Sequence, residues 1–185
     1  MVQNQVRIIA GKWRGRKIYF PTLPGLRPTP DRIKETLFNW LAPTIRGARC
    51  LDLFCGSGAL GIEALSRGAE EVVFVDQDPI VVKQLSEFLQ NLGAQRANVH
   101  QQTAQRFLSQ PAQSFDVVFL DPPFQQGLIN PILEILIQHD WLNKQGLIYI
   151  EMEDRHENLE IPEPWHLYRH KKSGNVAYGL CRIKS

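Results

Sequence analysis

Long apolar runs are missing from this chain of 185 residues. No stretch approaches the roughly 20 consecutive apolar residues that carry a helix across a bilayer, which excludes an ordinary transmembrane helix and leaves no membrane partner. The N-terminal segment MVQNQVRIIAGKWRGRK also lacks the apolar core of a secretory signal. Cysteine is scarce: Cys50, Cys55 and Cys181 are odd in number and show no paired spacing. A disulfide framework is thereby excluded, and a reduced, cytoplasmic protein is expected. His166 and His170 lie four apart with Cys181 further on, but no second ligand pair accompanies them, so no metal is expected. In strand-like sequence that spacing predicts both histidines on one face. The lysine of a phosphate-binding P-loop is absent, and the C-G-S-G around Ser57 is not the G-x-S-x-G of a nucleophile elbow. There is no internal repeat and no low-complexity segment.

What is present suits one soluble unit. Hydrophobic residues make up 43% and charged residues 22% of the chain, enough for a core without covalent staples. The net charge of +2 conceals a segregation. Residues 1–46 hold nine Lys/Arg against two acids, residues 47–164 seven against seventeen, and residues 165–185 five against none. Basic ends around an acidic middle fit a polyanion held through the termini. Arg7, Lys12, Arg14, Arg16 and Lys17 are the candidate cations for contacting a nucleic acid, with Trp13 (and Tyr19 and Phe20 nearby) as candidate stacking rings. The chain divides into a basic N-terminal hairpin and linker, 1–26, and a main domain, 27–185. Nothing points away from a monomer.

Residues 6–20 predict a β-hairpin turning through Gly11 and Gly15. The prolines of PTLPGLRPTP predict an extended linker. A helix is expected from Asp31 to about Leu41, with Thr29 or Asp31 as cap, Pro30 in the first turn and an apolar stripe at Ile33, Leu37, Trp40 and Leu41. Strands at 49–53, 71–76, 97–101, 115–120 and 147–151 then alternate with helices at 59–67, 79–92, 104–108 and 128–139. Two final strands flank Gly174-Asn175. Repeated βα units predict an α/β fold with a mostly parallel sheet, helices on both faces and an antiparallel edge strand from the last hairpin.

Two strand ends carry chemistry. In CLDLFCGSGALG, Gly56, Gly58 and Gly61 satisfy G-x-G-x-x-G between a strand and a helix, the setting for a nucleoside cofactor. Asp76 ends the next strand, where a carboxylate can accept both ribose hydroxyls, while Asp78 before Pro79 suits a helix cap. Asp52, just before the loop, would repel a diphosphate and favour a ligand carrying an ammonium and a sulfonium. S-adenosylmethionine has both groups and no phosphate. In DVVFLDPPF, Asp121 and the Pro122 carbonyl are rigid acceptors for the two hydrogens of an aryl amine. Pro123 stiffens the turn and Phe124 can stack on a flipped base. Held in this way, the amine would direct its lone pair at a methyl donor.

These segments together resemble the bacterial family, often called RsmD, that methylates the 2-amino group of a guanine in small-subunit ribosomal RNA. The resemblance runs through RIIAGKWRGRKI, LRPTPDRIKETLFNWL, LDLFCGSGALGIEALSRGA, VFVDQDP, DVVFLDPPF and VAYGLCRIK, nearly the whole chain. It implies a class I methyltransferase (Rossmann-like) fold with a seven-stranded, mostly parallel sheet preceded by the hairpin. It implies S-adenosylmethionine as cofactor, and as substrate the 16S RNA of an assembled or partly assembled small subunit. It further implies that Asp52, Gly56 and Gly58 hold the methionine end and Asp76 the ribose. Arg27, Pro28 and Thr29 would approach the cofactor from the linker, and Thr103 and Ala104 would read the adenine edge. Many methyltransferases have glycine where Phe54 stands and aspartate where Thr103 stands. Read from the residues alone, three alternatives stay open: a DNA adenine or cytosine amino-methyltransferase, a nicotinamide-dependent oxidoreductase, and a non-catalytic RNA-binding assembly factor.

Overall fold

The structure, a computed structural model, describes residues 4–22, 29–124, 126–153 and 159–184. Strands β3 (Arg49–Asp52), β4 (Glu71–Asp76), β5 (Ala97–Gln101), β6 (Phe115–Leu120), β7 (Leu142–Glu153), β8 (Trp165–Ser173) and β9 (Val176–Ile183) form one seven-stranded sheet. Their spatial order is β5-β4-β3-β6-β7-β9-β8. The first five are parallel neighbours. The order reverses direction at β3 and β6, and in such sheets ligands bind outside the carboxyl ends of the strands at this switch point.

Apolar runs such as VVFV and DVVFL are continuous because both faces of these strands are covered. Cys50, Val72, Phe74, Val117, Phe119 and Tyr149 belong to one apolar cluster with helices α1 (Asp31–Leu41), α2 (Ala59–Ser66) and α3 (Pro79–Leu92). The alternate residues Leu51, Val73, Val75, Val118, Leu120, Ile148 and Ile150 face helices α4 (Ala104–Leu108) and α5 (Ile129–Gln138). Asp78 caps α3 as its position before Pro79 predicts, accepting from the Ile80 and Val81 amides at 2.8 and 3.3 Å. Thr29 does not cap α1. Pro30 occupies that place without a side-chain hydrogen bond, which frees the Thr29 hydroxyl for another partner.

The N-terminal strands β1 (Asn4–Arg7) and β2 (Lys17–Phe20) form the expected antiparallel hairpin. Its side chains Val6, Ile8, Trp13, Ile18 and Phe20 lie in the same apolar cluster as α1 to α3. The hairpin is fastened by its backbone to α2. Glu63 accepts from the Ile9 and Ala10 amides at 2.8 and 3.0 Å, and the Ser66 carbonyl accepts from the Lys12 amide at 2.7 Å.

Three expectations need correction. The antiparallel strand is not at the edge. Apolar β9 lies between β7 and β8, antiparallel to both, and polar β8 takes the exposed edge. His166 and His170 do not share a face. A register shift between Leu167 and Arg169 pairs them with Arg182 and Gly179, an odd number of residues apart, so the irregularity turns them to opposite sides. Strand β7 begins five residues before Leu147, because Leu142 pairs with Phe115 across an irregular register.

Candidate active site

The strand-end acids converge at the carboxyl edge. Asp52 ends β3, is 2% exposed, and its Oδ2 accepts from the Gly61 amide at 2.9 Å. It therefore ties the glycine turn to the sheet. Burial raises its pKa to about 7, the Gly61 amide opposes that rise, and nearby Asp76 adds to it. Asp76 ends β4 and joins the same turn: its Oδ2 accepts from Gly56 N at 3.0 Å and its Oδ1 from Asp78 N at 2.9 Å. Burial also moves the Asp76 carboxyl upward. Gly58 has φ +74°, a left-handed bend in which a side chain would be strained and its Cβ would push Leu85 Cδ1 aside from 2.5 Å.

Past β5, Thr103 is exposed and caps α4, accepting from the Arg106 amide at 3.2 Å, while Ala104 is buried beside it. Past β6, Asp121 leads into Pro122, Pro123 and Phe124, with Pro122 buried and the other three partly accessible. Although part of Asp121 is reachable, its carboxyl lies deep. Burial, then Glu151 and Asp52, push its pKa well above the ordinary carboxylate range. Asp52 pairs with Phe119 across the parallel β3–β6 pair, which sets Asp121 just beyond the carboxyl end of β3, beside the glycine turn. The Thr29 hydroxyl donates to Asp121 Oδ2 at 3.4 Å, so Thr29 meets the DPPF loop. Arg27 and Pro28 lie outside the described residues.

Sequence reasoning missed Glu151 and Tyr149. Glu151 is 4% exposed near the carboxyl end of β7, and the Tyr149 hydroxyl donates to its Oε2 at 2.7 Å. The signal was available: Glu151 follows LIYI as Asp121 follows VVFL. Of the proposed RNA contacts, Arg7, Lys12, Arg14, Arg16 and Lys17 are exposed. Trp13 is 7% exposed, and Phe20 is buried, so neither offers a stacking face; Tyr19 does, at 48%. Alternation explains the split, since Val6, Ile18 and Phe20 point inward between the outward cations.

The residues at the carboxyl edge fit a nucleoside sulfonium. Asp76 accepts from the Gly56 and Asp78 amides and, being partly accessible, keeps acceptor capacity for hydroxyls. Asp52 and Asp76 offer negative charge where a phosphate would be repelled. A seven-stranded sheet with one antiparallel strand, a glycine turn after the first strand and an acid after the second define a class I S-adenosylmethionine-dependent methyltransferase. An RNA methyltransferase from Salinibacter ruber, solved with S-adenosyl-L-homocysteine, shares this fold at TM-score 0.66 and 16% identity over 86% of this chain and 95% of that one.

The family described as Conserved hypothetical protein 95 matches residues 6–182. Ribosomal RNA small subunit methyltransferase D of Escherichia coli K12 is 48% identical over 177 residues, 96% of this chain and 89% of the relative. The solved structure of yhhF from Escherichia coli superposes at TM-score 0.91 with 44% identity, covering 98% of this chain and 99% of that one. The chain belongs to this family, that of the RsmD methyltransferases.

Proposed function

We propose that this protein methylates the 2-amino group of a guanine in small-subunit ribosomal RNA, presented in an assembled or partly assembled subunit. The observation that carries the reading is Asp121, set beside the cofactor half of the sheet at the β3–β6 switch point. The name of the Escherichia coli relative supports ribosomal RNA of the small subunit as the substrate. The motif resemblance supports the guanine amine.

Bound S-adenosylmethionine supplies an electrophilic methyl group on a sulfonium. The chain's own residues do the rest. Asp76 would accept the ribose hydroxyls. Asp52, Gly56 and Gly58 would hold the methionine end, Arg27, Pro28 and Thr29 would approach it from the linker, and Thr103 and Ala104 would border the adenine. Asp121 and the Pro122 carbonyl accept the amine hydrogens and fix its lone pair in one direction. Phe124 supports the base plane. Arg7, Lys12, Arg14, Arg16 and Lys17 contact phosphates, while Trp13 holds the hairpin in place.

Labelled S-adenosylmethionine, incubated with small subunits lacking the modification, tests this. Label should enter 16S RNA at a guanine amine, located by mass mapping, and duplex DNA should not compete. Asp121→Ala should slow turnover about 100- to 1,000-fold, with cofactor binding retained. Unlabelled rRNA, or label on duplex DNA, would overturn the substrate assignment.

A further inference from the structure

Asp121 has a buried carboxyl neighbour with no part in the amine grip described above. Strands β6 and β7 run parallel with Leu120 beside Ile150, so the next residues along, Asp121 just past β6 and Glu151 within β7, lie side by side. The Tyr149 hydroxyl reaches Glu151 Oε2 at 2.7 Å. The Thr29 hydroxyl, itself buried, reaches Asp121 Oδ2 at 3.4 Å. Tyr178 on β9 lies opposite Glu151 and packs its ring 6.5 Å from that of Tyr149. Asp52 adds a third carboxyl from β3. Among the described residues, no ion pair joins any of these acids to a lysine or arginine.

Two adjoining carboxylates in a poorly solvated site, with no cation paired to them among the described residues, resist being charged together near neutrality. We propose that Glu151 is a positioning residue for Asp121: the two carboxyls hold one proton between them, and Tyr149 and Thr29 fix the orientation of the pair. The shifts agree in direction. Burial raises both acids, Glu151 raises Asp121 further, and the Tyr149 hydroxyl bond favours the charged form of Glu151.

The consequence for catalysis rests on the proposed amine methylation. A pair with one proton carries one negative charge and can take one more proton. When the methylated amine sheds its proton, an N–H bond breaks and an O–H bond forms on the pair, which then returns that proton to water. Holding the charge to one also limits repulsion from Asp52, which leaves Asp52 free for the cofactor.

The test uses the free protein, without cofactor or RNA, so it stands apart from the substrate assignment. The infrared band of protonated carboxyls is followed through a pH titration in wild type, Glu151→Gln and Asp121→Asn, and read as difference spectra. In wild type the last proton of the pair should leave at a pH at least one unit above that of the single carboxyl remaining in either variant. Equal titration in all three would overturn the pairing and leave Glu151 a structural residue. Tyr149→Phe keeps both carboxyls and decides the matter should either variant fail to fold. Loss of its hydroxyl should move the last proton to higher pH, and an unmoved titration counts against the proposal.

Discussion

Asp52 shows how one carboxyl can serve both the fold and the ligand. Its pKa of about 7 means that the folded protein keeps a proton which the unfolded chain releases near 3.8. Linkage then fixes the sign: the proton's contribution to stability is complete below about pH 4 and is lost as pH climbs toward about 7. A cationic ligand reverses the preference, because it binds the charged form. S-adenosylmethionine affinity should therefore rise up to about tenfold per pH unit between roughly pH 5 and 7 and level off above. Calorimetry in two buffers of different protonation heat should register proton release on binding below pH 7. Asp52→Asn should weaken binding and flatten its pH dependence, whereas a wild-type affinity indifferent to pH would remove Asp52 from the ammonium site. Asp52, Asp76 and Asp121 were legible in the sequence because each closes an apolar strand before a stiff or glycine-rich turn. Glu151 obeys the same rule, yet it went unread because no glycine or proline follows it, and its role depends on which strand lies beside it.

At the scale of elements, helix α2 is both the arm behind the glycine turn and the dock for the hairpin. Glu63, fully buried, meets the Ile9 and Ala10 amides and pairs with Arg67 Nε at 2.7 Å. Gly11 presses its backbone against the same helix. It has φ +82°, and an added Cβ would stand 1.8 Å from the Ser66 carbonyl oxygen, which belongs to the backbone and cannot swing away. Gly11→Ala should cost at least about 2 kcal/mol, the sum of a left-handed backbone penalty and forced separation of the two elements. Urea midpoints would measure this, and a loss under about 0.5 kcal/mol would mean that the hairpin is not clamped here. Helix and strand positions were mostly legible from periodicity and caps, since α3, α4, β4, β5 and β6 fall where the pattern puts them. Strand order was not. Nothing local distinguishes β9 inserted between β7 and β8 from β9 at the edge; the decision rests on which strand can be buried on both faces. The irregularity that separates His166 from His170 is likewise set by pairing with β9.

For the molecule as a whole, the N-terminal hairpin and the last strands contribute to one face of the sheet. The hairpin belongs to the apolar cluster that also holds Tyr178 and Leu180, with Tyr168 packed against it. Arg182 lies 4.4 Å and Arg169 5.8 Å from the Tyr168 ring centroid, so cations of the last strands border that face. The hairpin turn docks on Ser66, at the end of α2 remote from Gly58. An eight-residue helix puts it roughly 12 Å from the glycine turn. A nucleic acid touching both would have to extend over the face while one base enters beside Asp121. The exposed cations should then act through phosphates and the buried Trp13 through folding. Replacing Lys12, Arg14 and Arg16 together with glutamine should weaken binding to a small-subunit RNA fragment. The slope of log K against log salt should fall by about 0.7 to 0.9 for each phosphate no longer neutralised. Lys144→Gln, outside both basic termini, should leave the slope alone, and Trp13→Ala should lower stability by about 3 to 5 kcal/mol. A slope unchanged by the triple substitution would take the hairpin turn out of the RNA path and leave the cations of β8 and β9 as the docking charge.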